Sequence, residues 1–135
     1  MSQENVRVLL LLVEAFNRGD FDDGMKHMDP EVELNPGVLA PDQDTRFLGR
    51  QGVMDFLGGA TEIWESVSVD RKEIVEGDGE RFLAGDQWFF RGRDGIEIER
   101  ELPTVYTFHN GLIVRIDGFT TKAAAVEAAG LEDVT

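Results

Sequence analysis

Apolar residues recur at helical spacing near the N-terminus and alternate with polar residues in the second half of the chain. A helical stripe covers residues 3–18, and Gly19 supplies a stop directly after it. Shorter stretches of the same kind predict helices over residues 21–28 and 50–66, and one more over 122–129. The pattern therefore places three helices in the first half of the chain and one at its end.

Alternating positions predict strands, which we expect over residues 31–35, 67–76, 81–92, 96–108 and 112–120. Helices followed by a run of antiparallel strands are typical of an α+β fold, here in the order α-α-β-α-β-β-β-β-α. We predict a single domain over residues 1–135. Because a twisted four-stranded sheet cannot bury a face on itself, we expect it to curl around the N-terminal helices and form a cone-shaped apolar pocket.

A segment with two prolines and a glycine, residues 36–47, is predicted to be a loop that covers the mouth of this pocket as a flap. The third predicted helix contains Gly58 and Gly59 in its middle, where each glycine costs about 1 kcal/mol relative to alanine. We expect close packing against a neighbouring element to explain why they are tolerated.

The register of the last hairpin decides which residues line the pocket. A two-residue turn at Asn110-Gly111 would point Arg115 and Asp117 inward, whereas a three-residue turn that begins at His109 would point them outward. The second register is favoured because it gives one face that is almost entirely apolar, and burial specifies register strongly. That inward face would consist of Thr104, Tyr106, Phe108, Leu112, Val114, Ile116 and Gly118.

Few polar side chains are candidates for chemistry in such a pocket. Asp86 and Arg100, on adjacent predicted strands, are the catalytic candidates, as a buried pair that would be catalytic, anion-binding or structural. Thr104 and Tyr106 are the best inward polar groups, and Asn35 could orient a carbonyl but not abstract a proton. The other predicted ligand contacts are large apolar or aromatic side chains, namely Phe16, Trp64, Trp88 and Ile116.

Composition narrows the classes of partner and cofactor. The chain has 13 basic and 27 acidic residues, a formal net charge of −14, which argues against binding nucleic acid or anionic membranes. It has no cysteine, and its two histidines lack neighbours at a metal-ligand spacing, so we predict no metal and no other cofactor. No apolar run approaches the ~20 residues of a membrane span. The N-terminus lacks a basic region, so we expect a cytoplasmic protein.

Several short motifs, taken in their order and spacing, resemble the SnoaL-like branch of the nuclear-transport-factor-2-like superfamily. This superfamily also contains the ketosteroid isomerases and the limonene epoxide hydrolases. The motifs that carry the resemblance are EAFNRGD at 14–20, DPEVE at 29–33, FLGRQG at 47–52, YTFHNGLIVR at 106–115 and AAAVEAAGL at 123–131. The resemblance implies a small homodimer with an apolar cone pocket. The SnoaL-like enzymes that the chain resembles close polyketide rings by an aldol-type step.

The acid and base residues that the resemblance would supply are absent. The isomerase Tyr, base and acidic donor fall at Leu12, Asn35 and Thr104, and Thr104 is also where a cyclase Asp would lie. The second Asp of the epoxide hydrolases falls at Gly118. Whether the protein is an enzyme therefore stays open. If it is one, the resemblance implies isomerase-, cyclase- or hydrolase-like proton transfer without a cofactor.

Two hypotheses from different classes follow. The first is a pocket for a small hydrophobic molecule, cyclic or carbonyl-bearing, with its reaction unassigned. The second is a non-catalytic module of the same fold that binds another protein or a second subunit through its outer sheet face or its cavity. The apolar patch predicted on that face comprises Val105, Thr107, Ile113 and Phe119.

Overall fold

The computed structural model describes residues 2–37 and 45–131, so residues 38–44 of the predicted flap lie outside the described residues. None of the described helices has the length and apolar character needed to cross a membrane. The described elements are α1 (Ser2–Arg18), α2 (Phe21–Met25), β1 (Met28–Asn35), β2 (Phe47–Leu48), α3 (Gly49–Ile63), β3 (Ser66–Glu76), β4 (Arg81–Arg91), β5 (Glu97–Glu101), β6 (Thr104–His109), β7 (Leu112–Gly118) and α4 (Lys122–Ala128).

The strands form one curled, unclosed sheet, which confirms the predicted α+β class. The order along the sheet is β2-β1-β7-β6-β4-β3, and β5 also pairs with β4. The sheet is mixed rather than purely antiparallel, because β1 pairs with β7 in parallel. The first strand of the chain therefore lies next to the last, and the helices that flank it lie on the inner face of the sheet.

The strand predicted over 96–108 is interrupted at Leu102-Pro103, which divides it into β5 and β6. Proline has no N–H to donate to the ladder, so pairing lapses there. The register does not change across the gap, since Glu101 lies opposite Gln87 and Thr104 lies opposite Ala84. Side chains of β5 and β6 therefore keep one alternation, and Leu102 and Thr104 share the inner face.

The hairpin between β6 and β7 differs from the favoured register in its turn, and a bulge in β7 compensates for the difference. Its turn is the two-residue Asn110-Gly111 loop, with φ of 53° and 81°, so the predicted three-residue turn is wrong. A bulge at Val114 then shifts the register by one residue, so that Tyr106 lies opposite Ile116 after all. Arg115 consequently remains on the outer face, as predicted.

Two hydrophobic clusters lie on opposite faces of the sheet. The inner cluster joins β-strand side chains to α1 and α3 and includes Ile113, which is fully buried. The outer cluster forms where Ala125 and Ala129 of α4 cover Leu83 and Val105. The predicted outer apolar patch is therefore wrong, because Val105 lies beneath α4 and Ile113 lies inside.

The N-terminal helix is fixed to the edge strand β3 by the side chain of Asn17, which makes the backbone hydrogen bonds that a neighbouring strand would make. The Asn17 amide donates to the Val69 carbonyl at 2.8 Å and accepts from the Val69 N–H at 2.9 Å. Because β3 ends the sheet on this side, Asn17 occupies backbone groups that would otherwise lack a partner. This contact holds the C-terminal end of α1 over the concave face.

The glycine pair of α3 is not explained by close packing. A Cβ atom added at Gly58 or Gly59 would meet no heavy atom within 4 Å, so that expectation is wrong. The preceding residues Phe56 and Leu57 line the cavity described below. The glycines follow directly after the part of α3 that contacts the interior.

Candidate functional site

A cavity of about 120 Å³ lies between the concave face of the sheet and helices α1, α2 and α3. Its wall is overwhelmingly apolar, and the only charged side chain along it in the described chain belongs to Arg71. The lining residues are Leu12, Val13, Phe16, Phe21, Gly24, Met25, Met28, Leu34, Pro36, Val53, Phe56, Leu57, Val69, Arg71, Trp88, Leu102, Thr104, Tyr106, Ile116, Gly118 and Phe119.

Arg71 on β3 forms a bidentate ion pair with Asp86, which lies directly opposite on β4. Nε donates to Oδ1 at 2.8 Å and Nη2 donates to Oδ2 at 2.9 Å, so both carboxylate oxygens are occupied. The two side chains are only 4% and 1% exposed. The predicted partner of Asp86 was Arg100, and this is wrong: Arg100 is exposed and donates to the carbonyl of Glu99.

A bulge in β3 explains why Arg71, and not Lys72, meets Asp86. The pairing of β3 with β4 shifts by one residue between Arg71 and Glu73. Without that shift Lys72 would lie opposite Asp86. The sequence carries a signal for it, because Val69 and Ile74 both point inward yet are five residues apart, which a regular period of two does not allow.

The remaining hydrogen bonds of Arg71 join the pair to α1 and to β6. Nη1 donates to the carbonyl of Leu9 at 2.7 Å, and Nη2 donates to the Tyr106 hydroxyl at 2.6 Å. Burial by itself lowers the pKa of Arg71, but the interactions with Tyr106 and Asp86 outweigh it and raise that pKa above its ordinary value. The guanidinium is therefore charged throughout the physiological range.

Tyr106 is held as a neutral phenol. Burial raises its pKa above the ordinary value of 10.0, Arg71 opposes that rise, and Asp86 adds to it. In the bond from Arg71 the hydroxyl oxygen accepts, which leaves the phenolic proton available to donate. No side chain or carbonyl in residues 2–37 and 45–131 accepts it within hydrogen-bond distance.

A second unused donor belongs to Trp88. Its indole Nε1 is buried and has no hydrogen-bond partner within the described residues. The hydroxyl of Thr104, by contrast, donates to the carbonyl of Leu102 at 3.1 Å. Trp88 and Tyr106, two residues of an otherwise apolar wall, thus each carry a donor that has no acceptor within the described residues.

Aromatic rings form a row beside the cavity. The Trp88 ring stacks on Phe90 at 5.9 Å between centroids and packs edge-to-face with Phe16 at 5.6 Å. Trp64 packs against Phe90 at 5.1 Å. Phe16 and Trp88 line the cavity, whereas Trp64 and the Phe90 ring against which it packs do not.

Five of the predicted ligand contacts lie along the cavity wall, namely Phe16, Trp88, Thr104, Tyr106 and Ile116. Asn35 does not, because its amide donates to Glu33 at 2.9 Å and to Asp117 at 2.8 Å on the outer face. The reason is strand alternation: Asn35 has the same parity as Glu33, and Leu34 and Pro36 take the inner positions. Arg71 was missed by sequence reasoning altogether.

The wall offers donors but no free base. No histidine or carboxylate lines the cavity in the described ranges, and both oxygens of Asp86 accept from Arg71. The same part of the chain contains no group of three His, Cys, Asp or Glu residues that could hold a metal ion. Within residues 2–37 and 45–131, the wall therefore has hydrogen-bond donors but no free carboxylate or imidazole for proton abstraction.

Solved structures with the same fold include proteins with ligands. An NTF2-like protein of unknown function from Burkholderia pseudomallei superposes with a TM-score of 0.78 at 18% identity, over 93% of this chain and 97% of that one. A Mycobacterium tuberculosis protein in complex with estradiol-17β-hemisuccinate superposes with a TM-score of 0.75 at 15% identity, over 89% and 95%. TerC, co-crystallised with polyporic acid, gives 0.77 at 18% identity, over 92% and 96%.

At these identities the solved structures establish the fold alone. No curated protein matches the chain at a significant level. A family model is more specific, since the model described as SnoaL-like domain matches residues 10–116, which is most of the chain. The protein therefore belongs to the SnoaL-like domain family.

Proposed function

We propose that the protein binds a small, largely apolar molecule with a ring and a carbonyl group inside the cavity. The observation that carries this proposal is that two residues of the apolar wall, Trp88 and Tyr106, each have a donor, the indole N–H and the phenolic O–H, that no acceptor in the described residues uses. A buried donor without a partner costs roughly 1–3 kcal/mol. A ligand that brings an acceptor oxygen removes that cost, whereas a pure hydrocarbon does not.

The size of the cavity supports a ligand with one ring. At about 120 Å³ it is somewhat smaller than the ~150 Å³ apolar cavity that holds one benzene molecule. A single-ring ketone is larger than benzene, so even this ligand requires a small outward movement of the lining side chains. A larger ligand would require lining side chains such as Phe56 and Leu57 to move apart.

The M. tuberculosis protein, which shares the fold, was solved with a steroid ester, which supports a ligand-binding use of this interior. For this chain we propose binding first. Because Tyr106 donates while it accepts from Arg71, it would also polarise a bound carbonyl. Turnover by proton abstraction has less support, since Asp86 is fully engaged.

The alternative of an interaction module has lost the observation that motivated it, because α4 covers Val105. A homodimer and a cytoplasmic location remain predictions. Light scattering at micromolar concentration would contradict the dimer if it gave the mass of one chain.

Nitrogen–proton correlation spectra of the two indoles test the proposal directly, since the chain has only two tryptophans. Acetophenone should shift the Trp88 indole N–H resonance in a saturable way, while ethylbenzene, which lacks the oxygen, should bind more weakly and move it less. Trp64→Phe assigns the signals and serves as the control, because Trp64 does not line the cavity. The proposal fails if acetophenone produces no saturable shift.

A second measurement concerns the other donor. Tyr106→Phe removes the hydroxyl and leaves the ring, so the affinity for acetophenone should fall by roughly five- to tenfold, the value of one ordinary hydrogen bond. The affinity for ethylbenzene should not fall with it. Equal losses for both compounds would mean that Tyr106 shapes the wall without donating to the ligand.

A further inference from the structure

We infer that Asp86 sets the charge selectivity of the cavity: by neutralising Arg71, it makes the site select uncharged acceptors over anions. This inference rests on the proposed ligand binding and adds the charge class of the ligand. It also assigns a role to Asp86, a buried carboxylate that does not itself line the cavity wall.

The first step is the position of the cation. Arg71 lies along the cavity wall, yet its side chain is only 4% exposed, so water screens its charge weakly. A buried guanidinium in a wall that is otherwise apolar would attract an anionic ligand strongly, since a planar carboxylate matches its fork of N–H donors.

The second step is how completely that charge is already satisfied. Asp86 accepts through both oxygens at 2.8 and 2.9 Å and is itself 1% exposed. Asp86 therefore already satisfies the Nε and Nη2 donors with which Arg71 would bind a ligand carboxylate. The pair has no net charge, so an anion that enters must lose its hydration without gaining an unpaired cation.

The third step concerns the remaining polar residues along the cavity wall. Thr104 and Tyr106 are uncharged donors or acceptors, and the donor on Trp88 is a neutral indole. The whole chain carries a formal charge of −14, which adds to the exclusion of anions. Nothing along the described wall other than Arg71 would favour a negative ligand.

A purely structural ion pair predicts a different result. If Asp86 only stabilised the fold, its replacement would lower stability but leave the preference between neutral and anionic ligands unchanged. The ratio of two affinities, measured on folded protein, separates these roles. Acetophenone and benzoate are suitable probes, because they share the phenyl ring and differ mainly in charge.

In the wild-type protein, benzoate should bind at least about tenfold more weakly than acetophenone at neutral pH. Asp86→Asn keeps the shape of the side chain and removes its charge, so the preference should invert and benzoate should bind more tightly. Asp86→Ser is the second variant, in which the smaller side chain leaves room for the benzoate carboxylate on Arg71. Benzoate should then raise the melting temperature of either variant but not that of the wild type.

Asp117→Asn is the matched control, since Asp117 pairs with Arg115 on the outer face and does not line the cavity. The ratio of its affinities for acetophenone and benzoate should equal that of the wild type. The inference is overturned if neither Asp86 variant gains affinity for benzoate relative to acetophenone. Failure of the wild type to bind acetophenone would instead overturn the proposed function, so the two failures are distinguishable.

Discussion

Two arginine–aspartate pairs with the same contact distance lie on opposite faces of the sheet. Inside, Arg71 Nε and Asp86 Oδ1 are 2.8 Å apart, and outside, Arg115 Nε and Asp117 Oδ2 are also 2.8 Å apart. The inner side chains are 4% and 1% exposed, and the outer ones are 53% and 18% exposed. Distance alone therefore does not distinguish the pairs, and burial does.

The degree of burial sets what each pair can do. Water and salt screen the outer pair, so it contributes little to stability and leaves its charges available to neighbours such as Glu33. The inner pair is desolvated, so each partner depends on the other, and under the proposed function a ligand would meet an arginine whose charge Asp86 neutralises. Arg115 and Asp117, the charged residues of the last hairpin, therefore contribute less to stability than the buried inner pair.

Breaking the inner pair should have the largest effect. Asp86→Ala leaves the Arg71 guanidinium buried and uncompensated, and should lower the free energy of unfolding by about 3–5 kcal/mol. The measurement is urea denaturation followed by circular dichroism. The paired control is Arg71→Met with Asp86→Leu, which removes both charges and should recover much of the loss. Equal destabilisation by the single and the double variants would contradict this account.

Raising the pH should have the second largest effect, because ionisation of Tyr106 on the inner face lowers the free energy of unfolding. The pKa of Tyr106 is raised in the folded state, so the folded protein holds this proton more tightly than the unfolded chain does. Its contribution to stability is therefore complete below the ordinary value of 10.0 and is lost as pH rises from there through the folded pKa. Tyr106→Phe should show a smaller loss of stability than the wild type over that range in denaturation experiments. Identical pH dependence in the two proteins would show that the phenol does not titrate as described.

Breaking the outer pair should have the smallest effect. Asp117→Ala removes the acceptor of Arg115 and of Asn35, yet should lower the free energy of unfolding by at most about 1 kcal/mol. The loss should shrink further in high salt, because exposed charges are screened. Denaturation at low and high salt measures both. A loss as large as that of Asp86→Ala would remove the contrast between the two faces.

Much of the fold is predictable because its signals are local. The stripe of α1, the alternation in β3 and β4 and the stops at Gly19 and Gly130 each depend on residues near one another in sequence. The break at Pro103 was also readable, since proline cannot donate in a ladder. The prediction of one strand over 96–108 is thus wrong at a position where the sequence contains the signal for a break.

The candidate site was predicted less well, for two separate reasons. Asn35 was placed inside by resemblance, although its parity with Glu33 already put it outside. Arg71 was missed because its partner lies on another strand, and which residue meets Asp86 depends on a bulge that involves Lys72. Only the out-of-phase positions of Val69 and Ile74 hint at that bulge in the sequence.

The α+β class, the family, the approximate bounds of most elements and the acidic, cysteine-free character of the chain follow from its sequence. The folded chain is needed to know which arginine is buried, which aspartate neutralises it and which donors have no acceptor among the described residues. Helices and strand alternation arise from neighbours along the chain. Strand register and ion pairing depend instead on bulges such as those at Lys72 and Val114, whose effect exists only once distant strands meet.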